Sequence, residues 1–62
     1  MIELTKMNNE TFYINPNVIE IIENTPDTLI TTISGKKYYV ADSVQEISNK
    51  FIEFYKKINY KP

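Results

Sequence analysis

Residues 43–58 read Ser43-Val44-Gln45-Glu46-Ile47-Ser48-Asn49-Lys50-Phe51-Ile52-Glu53-Phe54-Tyr55-Lys56-Lys57-Ile58, and they carry the clearest structural signal in the chain. Ser43 and Glu46 have the spacing of a capping box. The Ser hydroxyl accepts from the Glu46 N–H while the Glu side chain reaches back to the Ser43 N–H. Val44, Ile47, Phe51, Phe54 and Ile58 then recur at intervals of three and four and fall with Tyr55 in one stripe roughly 100° wide. Gln45, Glu46, Asn49, Lys50, Glu53, Lys56 and Lys57 take the opposite side. The pattern predicts a helix over residues 43–58, with Glu46–Lys50 and Glu53–Lys57 as i,i+4 pairs. Lys56, Lys57 and Lys61 complement its negative end.

Upstream of the helix the period changes to that of strands. Ile2-Glu3-Leu4-Thr5 alternates apolar and polar, Asn8-Asn9 tolerates the positive φ of a hairpin turn, and Phe12-Tyr13-Ile14 returns with Phe12 and Ile14 on the side of Ile2 and Leu4. Asn15-Pro16 ends that strand. Ile19 to Glu23 fits neither period. One turn of 3₁₀-helix over Pro16–Val18 followed by a strand through Ile22 is the expected path. Thr25-Pro26-Asp27 is turn chemistry, Thr28 to Ile33 is rich in β-branched residues, Ser34-Gly35 makes a second hairpin turn, and Lys37 to Ala41 returns. The expected fold is α+β: one domain over residues 1–62, an antiparallel meander of five short strands (about 1–41), and the helix (about 43–58) packed on one face. Ile2, Leu4, Phe12, Ile14, Tyr38 and Val40 should meet Val44, Ile47, Phe51 and Phe54.

The composition excludes several chemistries. The 62 residues hold no Cys and no His, so disulfides, thiolate chemistry, zinc sites of the usual kind and His-based acid–base catalysis are absent. Of the carboxylates, Glu20 and Glu23 are expected on opposite strand faces, while Asp42 and Glu46 sit where a helix N-terminus stabilises carboxylates anyway. A single Gly leaves no phosphate-cradling loop. No enzyme activity, cofactor, metal site or catalytic residue is expected. The longest apolar run, Tyr38 to Ala41, is far short of the ~20 residues of a membrane span. Glu3 stands where a signal peptide would be basic, and no apolar stretch follows it. A soluble cytoplasmic domain is therefore expected. A chain this short buries only about 60% of its unfolded surface and has little spare stability.

Two groups of residues are candidates for contact. One helix covers one face of a five-stranded sheet, which leaves Tyr13 and Tyr39 on the other face with Ile30, or Ile22, beside them. Such residues are either scattered aromatics without consequence or a docking surface for a second copy or another protein, since Tyr is enriched at interfaces. The second group is basic. Residues 1–49 set three Lys against seven acids (−4), and residues 50–62 set four Lys against one acid (+3). Lys50, Lys56, Lys57 and Lys61 form a candidate basic patch, for nucleic acid in a small regulatory module or for the anionic leaflet of a membrane. The absence of Arg removes the usual bidentate reader of guanine and phosphate.

Taken together, Ile2–Asn8 (IELTKMN), Phe12–Pro16 (FYINP), Ile19-Glu20, Thr25-Pro26-Asp27-Thr28, Gly35-Lys36-Lys37-Tyr38 and Val40 leading into Ser43-Val44 give the chain its resemblance to the FlbD/SwrD family of small flagellar and swarming-motility proteins. The resemblance implies a cytoplasmic accessory that supports motor power for swarming through contacts with a motor or stator protein. It brings no enzyme activity, cofactor or established site residue. Asn9 stands where the family usually has Gly in the first turn, and Asn17 where an acid usually follows Asn-Pro.

Overall fold

The computed structural model describes residues 1–59. Its elements are β1 (Ile2–Thr5), β2 (Thr11–Ile14), a 3₁₀ turn (Pro16–Val18), β3 (Ile19–Asn24), β4 (Thr28–Thr32), β5 (Lys37–Val40) and α1 (Val44–Asn59). This is the expected small α+β fold, with five antiparallel strands and a C-terminal helix. The strands divide into two sheets, β1–β2 and β3–β4–β5. The division falls at Asn15-Pro16, where the chain turns into the 3₁₀ segment instead of pairing β2 with β3. Asn15 caps that turn by accepting the Asn17 N–H at 3.0 Å. The sheets meet elsewhere, through a bridge between Lys6 and Val40 and a bond from the Ala41 N–H to the Thr5 carbonyl at 2.7 Å.

Of the three hairpins, β1–β2 and β4–β5 use the same turn. Asn9 N–H donates to the Lys6 carbonyl at 2.9 Å and Lys6 N–H to the Glu10 carbonyl at 2.8 Å; Gly35 N–H donates to Thr32 at 2.9 Å and Thr32 N–H to Lys36 at 2.8 Å. Each is a three-residue loop whose last residue has positive φ, 72° at Asn9 and 88° at Gly35. The loop length corrects one expectation. A two-residue Ser34-Gly35 turn would place Ile30 opposite Tyr39, whereas the three-residue loop places Ile30 opposite Tyr38 and Leu29 opposite Tyr39. Directly opposed residues share a face, so Ile30 points inward and is fully buried. Ile22, opposite Ile30, also packs against the core rather than lying on the open face.

The irregular stretch at Ile19–Glu23 contains a β-bulge. Ile19 pairs with Thr32 but Ile21 pairs with Thr31, so the register shifts across Glu20. The extra residue lets Ile19 and Ile22, three apart, both pack inward while Ile21 turns out. This is why neither period fits.

The core is Ile2, Leu4, Ile14, Ile30, Val40 and Ile47, with Phe12, Val18, Ile19, Ile22, Tyr38, Phe51 and Phe54 half-buried around it. Phe12 and Tyr38 join the inner faces of the two sheets, their ring centroids 5.3 Å apart. The capping box is formed as read, with Glu46 N–H to Ser43 Oγ at 3.0 Å and Ser43 N–H to Glu46 Oε1 at 3.1 Å. Helix α1 packs against β1 and β3, with Ile47 buried and Phe51 and Phe54 half-buried on the core. Its last turns run past the sheets, leaving Tyr55 and Ile58 exposed although they belong to the apolar stripe.

Candidate functional site

Asp42 lies in the tight connection between β5 and α1 and is buried. Its Oδ1 accepts the Thr5 N–H at 2.7 Å, and its Oδ2 accepts from Lys50 Nζ at 3.1 Å. The same ammonium donates to the Glu3 carbonyl at 2.6 Å. Glu3 and Thr5 turn their backbone groups toward the side of β1 away from β2. The Asp42–Lys50 pair thus does for this edge what a neighbouring strand would do. Burial is the largest influence on Asp42 and pushes its carboxyl upward. The Thr5 N–H, the Lys50 bond and charge, and the Asp42 backbone N–H together outweigh it, so the pKa lies below the ordinary value.

This pair corrects the reading of the basic group. Lys50 is not part of an open patch and does not pair with Glu46; among the described residues its ion pair with Asp42 is the only one. An i−8 partner wins because it is buried and accepts a charge-assisted bond, while Glu46 is exposed and engaged with Ser43. Glu53–Lys57 is likewise unformed. Lys56 and Lys57 are exposed on the last turns of α1, and Lys61 lies outside the described residues.

The expected contact residues do not share one surface. Tyr13 is exposed on the outer side of β1–β2, opposite Glu3, and donates its hydroxyl to Glu3 Oε2 at 3.1 Å. That bond, and then the Glu3 charge, hold the phenol above its ordinary pKa. Tyr39 is on the other sheet, 56% exposed. Beside it on the outer face stand Leu29 and then Glu23; the next row is Ile21, Thr31 and Lys37. Ile30 contributes nothing to this face. Leu29 and Ile21 occupy the places expected of Ile30 and Ile22, and Gly35 as the third residue of a three-residue loop is the sequence signal that sets this register.

A groove of 280 Å³ runs between β1 and α1, lined by Met1, Ile2 and Phe54 among apolar residues and by Glu3, Glu53 and Lys57 among charged ones. A second, of 330 Å³, lies beside Pro26, Asp27 and Ser43. Among the described residues no group of three carboxylates is placed to hold a metal ion, and no helix is long and apolar enough to cross a membrane.

The family model of flagellar and swarming-motility proteins, FlbD, matches residues 1–59, which include all three hairpins, both sheets and α1. The chain belongs to the FlbD family. Membership gives it a role in flagellar or swarming motility. No curated protein and no solved structure matches the chain. In this FlbD chain the two departures noted in the sequence have local readings. Asn9 adopts the left-handed conformation that Gly would take there. Asn17 Oδ1 accepts the Tyr55 hydroxyl at 2.7 Å and ties the 3₁₀ turn to α1, a bond a carboxylate at this position accepts equally well.

Proposed function

We propose that this FlbD protein is a non-enzymatic cytoplasmic accessory that supports flagellar motor power during swarming by docking on a motor or stator protein. The observation that carries the reading is the outer face of β3–β4–β5. There half-buried Leu29 pairs with exposed Tyr39 and exposed Ile21 lies diagonally from Leu29 in the next row, with Glu23, Thr31 and Lys37 as their neighbours. Such a strip on a domain with little spare stability is an interaction surface rather than a reaction centre. Opposite it, the most elaborate polar arrangement, Asp42–Lys50, is consumed in holding β1 to α1. A nucleic-acid role draws less support, since Lys50 is committed to that pair and no Arg is present.

Deletion of the gene in a swarming strain, combined with a pull-down on the tagged protein from flagellated cells, tests the proposal. Assembled filaments, reduced torque and co-purification of a motor or stator protein are the expected results. Normal swarming in the deletion strain overturns it.

A further inference from the structure

The apolar stripe of α1 continues for a full turn beyond the surface that the sheets cover. Ile58 follows Phe54 on that stripe and is 59% exposed. Next to Phe54 lies the groove between β1 and α1, where Met1, Ile2 and Phe54 are apolar and Glu53 and Lys57 are charged. Glu53 and Lys57 stand one turn apart on the same flank of the helix, yet no ion pair between them forms among the described residues. The patch therefore carries an apolar knob, an apolar recess and charges of both signs, with Glu53 and Lys57 free to meet a partner.

We propose that this end of α1 is a self-association surface. Two copies lay the last turns of α1 antiparallel about a two-fold axis at the level of residue 55 along the helix, and Ile58 of each enters the groove of the other. A two-fold axis brings the same flank of both helices together, so Lys57 of each copy faces Glu53 of the second copy. Self-complementarity of this kind is what an isologous interface requires. It also selects a second copy over other occupants. The groove is lined by both signs, Glu3 and Glu53 against Lys50 and Lys57, and so offers no net attraction to an anionic membrane or an acidic protein, whereas a second copy supplies a Lys for Glu53 and a Glu for Lys57. The patch is small, which places the association in the weak class of low-area interfaces. The surface is separate from the outer sheet face, so this inference does not rest on the motility reading.

Sedimentation of the full chain from micromolar to millimolar concentration tests it. The wild type should show a reversible monomer–dimer equilibrium. Ile58→Asp should keep the wild-type circular dichroism and melting curve, because the residue is exposed in the single copy, and weaken dimerisation about tenfold or more. Glu53→Lys and Lys57→Glu should each dimerise poorly alone, through like charges facing across the axis, and form a heterodimer when mixed. A strict monomer at every concentration overturns the proposal, whether or not the chain binds anionic vesicles. So does an Ile58→Asp variant that dimerises like the wild type, since the contact then lies elsewhere.

Discussion

Asn9 and Gly35 are the two residues at which backbone conformation, rather than packing, decides what the position tolerates. Both close a three-residue loop with positive φ. A Cβ at Gly35 would meet nothing within 4 Å, so Gly35→Ala carries only the left-handed backbone penalty, about 1–2 kcal/mol. Asn9→Gly should shift stability the other way by a few tenths of a kcal/mol, because Asn already tolerates this region. Thermal melts of the two variants should move in opposite directions. Asp42 and Lys50 differ from each other in a comparable way. Asp42→Ala removes the acceptor of the Thr5 N–H and leaves Lys50 without its counter-charge, at a cost of about 2–3 kcal/mol. Lys50→Met keeps the packed stem and should cost only about 1 kcal/mol, since the ammonium is partly solvated. The depressed folded pKa of Asp42 also fixes a pH dependence. Its stabilising contribution is complete above the unfolded carboxyl value of about 3.9 and is lost as pH falls through the lower folded value. Denaturant midpoints measured from pH 6 downward should drop more steeply below about pH 4 in the wild type than in Asp42→Asn.

At the scale of elements, Ile47 is the most deeply buried anchor of α1. Ile47 is fully buried whereas Phe51 and Phe54 are half-buried, so Ile47 is the side chain whose loss detaches the helix. Ile47→Ala should cost about 2–5 kcal/mol, most of what a domain of this size has. A far-UV melt unchanged from the wild type would contradict the docking described here. The helix was legible from residue spacing because caps and period are local: Ser43, Glu46 and the apolar stripe are read within a few residues. Strand positions were legible for the same reason, as was the pairing of Ile2 and Leu4 with Ile14 and Phe12. Facing depended on something finer. One residue more or less in the loop before Lys37 exchanges the two faces of β4, and this moved Ile30 from the surface to the core. The bulge at Ile19–Ile21 hides β3 from any periodic reading. Asp42–Lys50 was illegible as a pair because its partners, Glu3 and Thr5, lie at the opposite end of the sequence.

For the whole molecule, two small sheets and one helix share a single core, and the fold leaves the outer side of β3–β4–β5 without cover. Membership of the FlbD family sets the biological context, and the proposed docking on a motor or stator protein is placed on the face that carries Ile21, Leu29 and Tyr39. The most direct test of this account is the swarm expansion rate of a strain carrying Tyr39→Lys at the native locus, with protein level matched to wild type. Tyr39 is exposed, so the purified variant should melt with the wild type. The account predicts swarming reduced to the level of the deletion strain; wild-type swarming by a folded, fully expressed Tyr39→Lys protein would contradict it.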